Sequence, residues 1–143
     1  MTRRELERYI FETYPAEDDR PWIEYPQHQV FRHPGNKKWF ALAMTLSRDK
    51  LGLAGDGFID AVNLKCDPLL VDAMRREPGF FPAYHMNKTH WITAALDGSA
   101  DDEKLKFILE MSYDLTKPKT QRKKKPSRGG INLQTSENYV III

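Results

Sequence analysis

The chain has 143 residues, enough for a single hydrophobic core, and its 41% hydrophobic and 29% charged content is ordinary for a soluble globular protein. No apolar run approaches the ~18 residues that a membrane-spanning helix needs, and the N-terminus lacks the apolar stretch of a signal peptide. These features argue against a membrane protein and, with the lone cysteine Cys66, predict a protein of the reducing cytoplasm.

The net charge of +2 is unevenly distributed along the chain. Residues 117–128 carry seven basic side chains and no acidic one, whereas residues 129–143 carry a single charged side chain, Glu137. Once these tail charges are set aside, residues 1–116 have a net charge of −4. Attraction to phosphate is therefore predicted to be strongest at the tail, whose cations are Lys117, Lys119, Arg122, Lys123, Lys124, Lys125 and Arg128.

The first part of the chain predicts a helix followed by short strands. Residues 2–5 have the capping-box pattern that starts a helix, and Pro15 stops it. The acidic run 17–19 is predicted to be a solvated loop rather than a metal site, since no other ligands lie nearby in sequence. Residues 21–25 and 29–33 are each predicted to form a short strand, and the next four residues, with Pro, Gly and Asn, predict a turn.

Two alternating stretches follow, separated by a Gly-rich loop at residues 47–57. In the first stretch, the side chains predicted to face the core are Phe40, Leu42, Met44 and Leu46, and those facing away are Trp39, Ala41, Ala43 and Thr45. In the second, Asn63 and Lys65 are predicted to face outward, and the inward positions are Val62, Leu64 and Cys66.

Two further helices are predicted downstream. Asp67 and Pro68 supply an N-cap and a first helical residue, and the apolar stripe that follows is Leu69, Leu70, Ala73 and Met74. The last helix begins near residues 99–102, and its predicted buried face is Leu105, Ile108, Leu109, Ser112 and Tyr113.

Residues 79–92 predict a β-hairpin, because two aromatic-rich runs flank Asn87 and Lys88. A two-residue turn there would pair Met86 with Thr89, His85 with His90, Tyr84 with Trp91 and Ala83 with Ile92. One face of the hairpin would then carry Phe81, Ala83, His85, His90, Ile92, Ala94 and Leu96. The other face would carry Tyr84, Met86, Trp91 and Thr93.

This order of elements predicts an α+β fold, a two-layer sandwich of the α-β(3)-α-β(2)-α type with an antiparallel sheet and helices on one face. If residues 21–25 also pair, the sheet gains one strand. The predicted organisation is a single domain at residues 1–116 and a basic C-terminal tail at 117–143 that ends in an apolar segment.

Two motifs in the chain resemble the MmcQ/YjbR family. The upstream motif comprises Asn63, Leu64, Lys65, Cys66, Asp67 and Pro68, and the downstream one comprises Tyr84, His85, Met86, Asn87, Lys88, His90 and Trp91. The resemblance covers roughly residues 3–116 and implies helices packed on an antiparallel sheet. It also implies a small bacterial protein described as DNA-binding, and it does not extend to the tail.

The sheet face opposite the helices is the predicted contact surface. By alternation it gathers Trp39, Asn63, Lys65, Tyr84, Trp91 and Thr93, with Lys88 at the hairpin tip. Aromatic rings beside cations suit stacking on bases, with lysine holding phosphate. The alternative is that these rings pack under residues 47–57 or the tail, or bury a dimer interface.

His85, His90 and Cys66 could share one face, as metal ligands or as a nucleophile with its base. The pattern favours a buried, hydrogen-bonded histidine pair and an inert thiol, because no known zinc spacing and no orienting acid is present. Two adjacent histidines cannot both be charged easily, which predicts pH-sensitive stability. No metal and no cofactor is expected.

The leading hypothesis is a non-enzymatic DNA-binding protein. Its nucleic-acid-binding residues would be the cations of the tail together with Lys65, Tyr84, Lys88 and Trp91. The alternative is a chaperone-like adaptor with no nucleic-acid role, which would use the aromatic face to hold a protein partner or a second copy of the chain. An enzyme or small-molecule binder that uses the two histidines is the third hypothesis.

Overall fold

Six antiparallel strands and three α-helices make up residues 1–119, which are the part of the chain that the computed structural model describes. The elements in order are α1 (Arg3–Thr13), β1 (Glu17–Asp19), β2 (Gln29–Arg32), β3 (Trp39–Ser47), a short 3-10 helix (Arg48–Leu51), β4 (Phe58–Lys65), α2 (Pro68–Arg75), β5 (Phe80–Pro82), β6 (Trp91–Ala95) and α3 (Asp102–Thr116). The sheet order is β1-β2-β3-β4-β6-β5. Across residues 1–119, none of the helices has the length and apolar character that crossing a membrane requires.

All three α-helices pack on one face of the sheet, which confirms the predicted α+β class. A single buried cluster joins residues of the helices to inward residues of β2, β4 and β6, among them Leu6, Ile10, Val71, Leu109, Phe31, Leu64 and Ile92. A second, smaller cluster lies on the other face and contains no residue of an α-helix. The helix layer therefore covers one side of the sheet and leaves the other to loops.

Each helix begins where its capping residues predict. The Thr2 hydroxyl accepts a hydrogen bond from the Glu5 amide at 3.1 Å, and the Glu5 carboxylate accepts from the Thr2 amide at 2.8 Å. Asp67 caps α2 with Pro68 at its first position, and Asp101 caps α3. The predicted buried face of α3 is confirmed, and the same helix also buries Met111, Leu115 and Thr116.

The first strand does not lie where the sequence predicts it. The predicted strand at residues 21–25 is wrong, because turns occupy that region and β1 is the acidic run predicted as a loop. Glu17 pairs with Lys37 at 2.7 Å and Asp19 pairs with Arg32 at 3.2 Å. These charge pairs offset the weak strand propensity of acidic residues. Four strands, rather than three, therefore precede α2.

The alternation predicted for β3 holds for Trp39 and Phe40 and is wrong from Ala41 onward. The register between β2 and β3 shifts at Phe31 and Arg32, and the resulting irregularity places two consecutive residues, Phe40 and Ala41, under the helices. Ala43 follows on the helix side, and the opposite face carries Leu42, Met44 and Leu46. In β4 the predicted alternation is confirmed, since Val62 and the other inward positions join the helix-side core.

The buried stripe of α2 also differs from the prediction. Leu69 is 83% exposed and Ala73 is exposed, whereas Val71 is buried and Leu70 and Met74 are half-buried. The helix contacts the sheet at β5 and β6, which lie at one end of the strand order. A helix at the margin of a sheet buries a narrower stripe than one over its centre.

The predicted two-residue hairpin turn is wrong. Pairing between β5 and β6 is limited to Phe80 with Ala94, Phe81 with Thr93 and Pro82 with Ile92, a register one residue away from the predicted one. Residues 83–90 form a loop, in which His85 adopts a positive φ of 58°. Because a one-residue shift exchanges the two faces of a strand, Phe80 rather than Phe81 enters the helix-side core.

Candidate nucleic-acid interface

A groove of about 460 Å³ runs along β3 on the sheet face opposite the helices. Its floor consists of Leu42, Met44 and Leu46, which belong to the smaller buried cluster. One wall comes from the loop between β1 and β2 and contains Trp22, Tyr25 and His28. The other wall comes from the loop between β5 and β6 and contains Tyr84, His85 and Met86. The volume lies within the range typical of small-molecule sites.

Aromatic rings form much of both walls of this groove. Trp22 meets Trp39 edge to face, with 5.4 Å between ring centroids and an interplanar angle of 89°. The His28 ring lies 5.9 Å from Trp22 and 5.1 Å from Tyr25. Edge-to-face contacts of this kind hold rings in fixed orientations while leaving one ring face free. The groove therefore presents oriented, half-buried rings above an aliphatic floor.

Tyr84 is held in place by two buried polar side chains. Asn63 donates a hydrogen bond to the Tyr84 carbonyl at 2.9 Å, and the Tyr84 amide donates to the Thr93 hydroxyl at 2.9 Å. The Thr93 hydroxyl in turn donates to the side-chain oxygen of Asn63. Both Asn63 and Thr93 are completely buried, so they position the groove wall and do not touch a ligand themselves.

A second cleft of about 220 Å³ adjoins the groove, because Lys50 and Tyr84 line both. Lys88 lies on its other side, beside Phe81 and Ala83. Among the described residues that line the two cavities, none is Asp or Glu. This is notable in a region of the chain, residues 1–116, whose net charge is −4.

Lys65 and Trp91 continue the same face of the sheet beyond Asn63 and Thr93. They pair directly across β4 and β6, two residues beyond the Asn63 and Thr93 pair on the same face. The Lys65 ammonium lies 6.0 Å from the centre of the Trp91 ring. The residues that the sequence analysis predicted as contacts within the body, Lys65, Tyr84, Lys88 and Trp91, thus lie along one side of the protein.

Comparison with known proteins decides the family. A model of the YjbR family matches residues 11–115. The protein YyaQ of Bacillus subtilis (strain 168), itself uncharacterized, is 39% identical over 117 residues, which is 82% of this chain and 99% of YyaQ. The chain belongs to the YjbR family. Escherichia coli (strain K12) YjbR is 39% identical over a shorter stretch of 54 residues, 37% of this chain and 46% of that protein.

Solved structures support the same family. A crystal structure of a Pseudomonas syringae protein is 41% identical, with a TM-score of 0.79, and the match covers 82% of this chain and all of that one. A crystal structure of a Deinococcus radiodurans protein is 26% identical, with a TM-score of 0.63 over 86% of each chain. The fold of this chain is thus shared with both of these solved proteins.

The YjbR motif residues mainly build the loop between β5 and β6. The Asn87 side chain accepts hydrogen bonds from the amides of Thr89 and His90, at 2.8 and 3.2 Å. The Cys66 amide donates to the His90 carbonyl at 2.8 Å, which ties the loop to the end of β4. Asp67, the next motif residue, caps α2. The motif therefore fixes where Tyr84 and Lys88 lie.

The predicted pairing of His85 with His90 is wrong, because both lie in the loop and the strand pairing ends at Pro82. His85 is exposed and stacks on Tyr84, with 4.0 Å between ring centroids.

Burial, and then the charge of Asp67, raises the pKa of the Cys66 thiol to about 12. Residues 1–119 contain no group of three or more His, Cys, Asp or Glu placed to hold a metal ion.

Sequence analysis missed the groove wall at Trp22, Tyr25 and His28, together with Lys50. The signal was present, since Pro21 and Pro26 bracket two aromatic residues, and prolines at both ends favour a loop over a strand.

Burial, followed by the charges of Arg3 and His85, lowers the pKa of His28. The Nδ1 atom of His28 is buried and has no hydrogen-bond partner within residues 1–119.

The predicted phosphate-binding tail falls mostly outside the described part of the chain. Lys117 forms an ion pair with Asp114 at 2.8 Å, and Lys119 is exposed. The other predicted cations lie outside the described residues, and these are Arg122, Lys123, Lys124, Lys125 and Arg128. The apolar segment that ends the chain lies outside them as well.

Proposed function

We propose that the protein is a non-enzymatic DNA-binding protein that binds on the groove side of its sheet, in the cytoplasm. The observation that carries the proposal is the lining of the two cavities, which combines aromatic rings with Lys50 and Lys88 and includes no described carboxylate. Charge near a binding surface governs its affinity for phosphate more than net charge does. An acidic body can therefore still present a surface that suits nucleic acid.

Acidic residues of the body are concentrated away from this surface. β1 carries three of them at the sheet edge, where Glu17 and Asp19 are paired with cations. Others lie on α3, where Asp102 pairs with the N-terminus and Glu103 with Lys106. DNA would therefore approach from the groove side, with the helix layer facing away.

Contacts in this proposal divide between the body and the tail. Tyr84 and Trp91 would meet bases, and Lys65 and Lys88 would meet phosphates. The tail cations would add affinity that does not depend on sequence and that falls steeply as salt concentration rises. Lys65 already lies near the Trp91 ring, so one side chain pair offers both stacking and charge.

The test is fluorescence anisotropy with labelled DNA at about 50 and 200 mM salt. We expect the full chain to bind, and a full-chain variant with glutamine at the five basic positions from 122 to 128 to bind more weakly, with a smaller salt dependence. Lys88→Glu should weaken binding further. Lys106→Glu, the same charge change on α3, is the matched control and should have little effect.

Two outcomes would contradict the proposal. Absence of binding by the full chain at both salt concentrations rejects it outright. Equal weakening by Lys88→Glu and Lys106→Glu would mean that net charge alone matters and that DNA does not use the groove side.

A second candidate function, the protein-interaction adaptor, is favoured by exposed apolar side chains on one groove wall. Ile23 is 94% exposed and Tyr25 is 57% exposed, both in the loop between β1 and β2. Exposed apolar residues beside a groove can hold an extended peptide. Light scattering at several protein concentrations separates the candidates, because self-association through this surface would raise the mean mass while DNA binding would not require it.

A further inference from the structure

We infer that the groove side takes an unpaired nucleotide, with its base among the aromatic rings of the groove and its phosphate between Lys50 and Lys88 in the adjoining cleft. The inference rests on the proposed function and adds to it a substrate class, single-stranded rather than duplex DNA. It is carried by the fact that Lys50 and Tyr84 line both cavities, which places a ring and a cation at the passage between them.

The recessed position of the rings favours an unpaired base. Met44 lies on the floor and is almost fully buried, while Trp22 and Tyr84 on the walls are half-buried. Bases in a duplex are stacked on one another and offer only their edges in the grooves. An unpaired base exposes both faces and can enter a cavity lined by rings, where stacking on an aromatic side chain contributes to affinity.

Polar groups at the rim of the groove match the edges of a base. Ser47 and His85 line the groove together with the apolar residues, whereas the hydroxyl of Thr45, which also borders it, is bonded to Arg3 and Asp60. The buried Nδ1 atom of His28 has no hydrogen-bond partner in the described part of the chain. A base edge carries both donors and acceptors and can bond to polar groups at the rim, whereas the Nδ1 atom of His28 is too deeply buried for a base to reach.

The adjoining cleft has the chemistry of a phosphate site. Neither Lys50 nor Lys88 forms a salt bridge within residues 1–119, whereas Lys37, Lys104 and Lys117 each have a carboxylate partner. Two ammonium groups beside a cleft of about 220 Å³ with no described carboxylate in its lining attract an anion. A nucleotide reaching from the groove past Tyr84 would place its phosphate there.

The test compares three labelled oligonucleotides of equal length on the full chain: oligothymidine, an abasic strand with the same phosphates, and a duplex. Oligothymidine should bind about tenfold more tightly than the abasic strand, since stacking is worth roughly that much per base. It should also bind more tightly than the duplex, and groove tryptophan fluorescence should change with oligothymidine alone.

Substitutions at the groove wall locate the effect. Trp22→Ala should remove the preference for oligothymidine while leaving abasic binding unchanged, and a cooperative thermal unfolding transition should show that the variant is folded. Trp22→Phe keeps a ring and should retain most of the preference. Phe107→Ala removes an aromatic side chain that is 56% exposed on α3, and as the matched control it should change neither.

The outcomes separate the inference from the proposed function. Equal binding of oligothymidine and the abasic strand overturns the inference, while DNA binding stands. Tighter binding of the duplex overturns it as well. If none of the three binds, both the inference and the proposed function fail, and self-association in the same sample would then favour the adaptor.

Discussion

The helix-side face of the sheet belongs to a large buried core, whereas the groove-side face carries a smaller cluster that lies beneath two loops. Ile92, Ile108 and Leu109 have no exposed surface on the helix side. On the groove side, Leu42 and Leu46 are each 6% exposed. The rings of Trp22, Trp39 and Tyr84 nearby are half-buried. Helices seal a sheet face along its length, while loops cover it in patches and leave room for a ligand.

Residue size follows the same division. Beyond Phe40, the helix side of β3 carries Ala41 and Ala43, and their small side chains let α3 lie close to the sheet. The groove side carries Leu42 and Met44, which fill the floor in place of a helix. The difference shows that one central strand can build a tight interface on one side and an accessible apolar floor on the other.

Leu109→Ala should have the largest effect and should act on stability alone. Leu109 is fully buried under the helices, and removing its side chain is expected to lower the free energy of unfolding by about 2–5 kcal/mol. Urea denaturation measures the change. Leu69→Ala, in α2 at a side chain that is 83% exposed, is the control and should stay within about 0.5 kcal/mol of the parent.

DNA affinity of Leu109→Ala should equal that of the parent when it is measured without urea on folded protein. A changed affinity would contradict the division of roles between the two faces of the sheet. Such a result would mean that the helix layer contributes to binding.

Thr93→Val and Ser112→Ala form a matched pair across the sheet, with a smaller expected effect. Each hydroxyl bridges two groups: Thr93 links the Tyr84 amide to Asn63, and Ser112 accepts from the Lys65 amide and donates to the Phe40 carbonyl. Losing either bridge leaves a buried polar group unpaired and should lower the free energy of unfolding by about 1–3 kcal/mol.

Thr93→Val should weaken DNA binding more than Ser112→Ala does. It releases the backbone of Tyr84 in the groove wall, whereas Ser112→Ala releases only the amide of Lys65, whose strand stays paired on both sides. Hydrogen exchange at the Tyr84 amide should speed up in Thr93→Val and not in Ser112→Ala. If both variants weakened DNA binding equally, the groove would not be a binding region that is independent of the helix-side core.

Sequence reasoning succeeded where the information is local. The capping residues Thr2 and Asp67 predict their helix starts, because each cap bonds to an amide only two or three residues away. The alternation of β4 was also predicted, since a strand between two neighbours keeps a regular pleat. The motif residues identified the family from the residue types alone.

Predictions that depended on partners from elsewhere in the chain were wrong. The register shift beside Phe40 depends on how β2 pairs with β3, and the shape of residues 83–90 depends on bonds from Asn63 and Cys66. No local pattern carries those contacts. The four body residues that are proposed as contacts nevertheless lie on the predicted side. Lys65 and Trp91 pair within regular strands, and Asn63 fixes Tyr84 beside them.

Stability should also depend on pH through His28, and this is the smallest effect. Its pKa is lowered by burial, then by Arg3 and by His85. The unfolded chain therefore binds a proton more readily than the folded one, so stability is complete above the unfolded pKa of about 6.5 and falls as the pH drops through it. The midpoint of thermal unfolding should decrease between about pH 8 and pH 5, and less so in His28→Gln.

His85→Gln refines this test, because it removes a neighbouring charge without removing the titrating group. We expect it to raise the pKa of His28 in an NMR titration of the imidazole and to reduce the loss of stability at low pH. An unchanged titration would mean that burial and the charge of Arg3 lower the pKa of His28 without a contribution from His85. Protonation of His28 would also place a positive charge in the groove, which should raise DNA affinity at low pH. A rise in the parent but not in His28→Gln would indicate that DNA binds next to this wall of the groove.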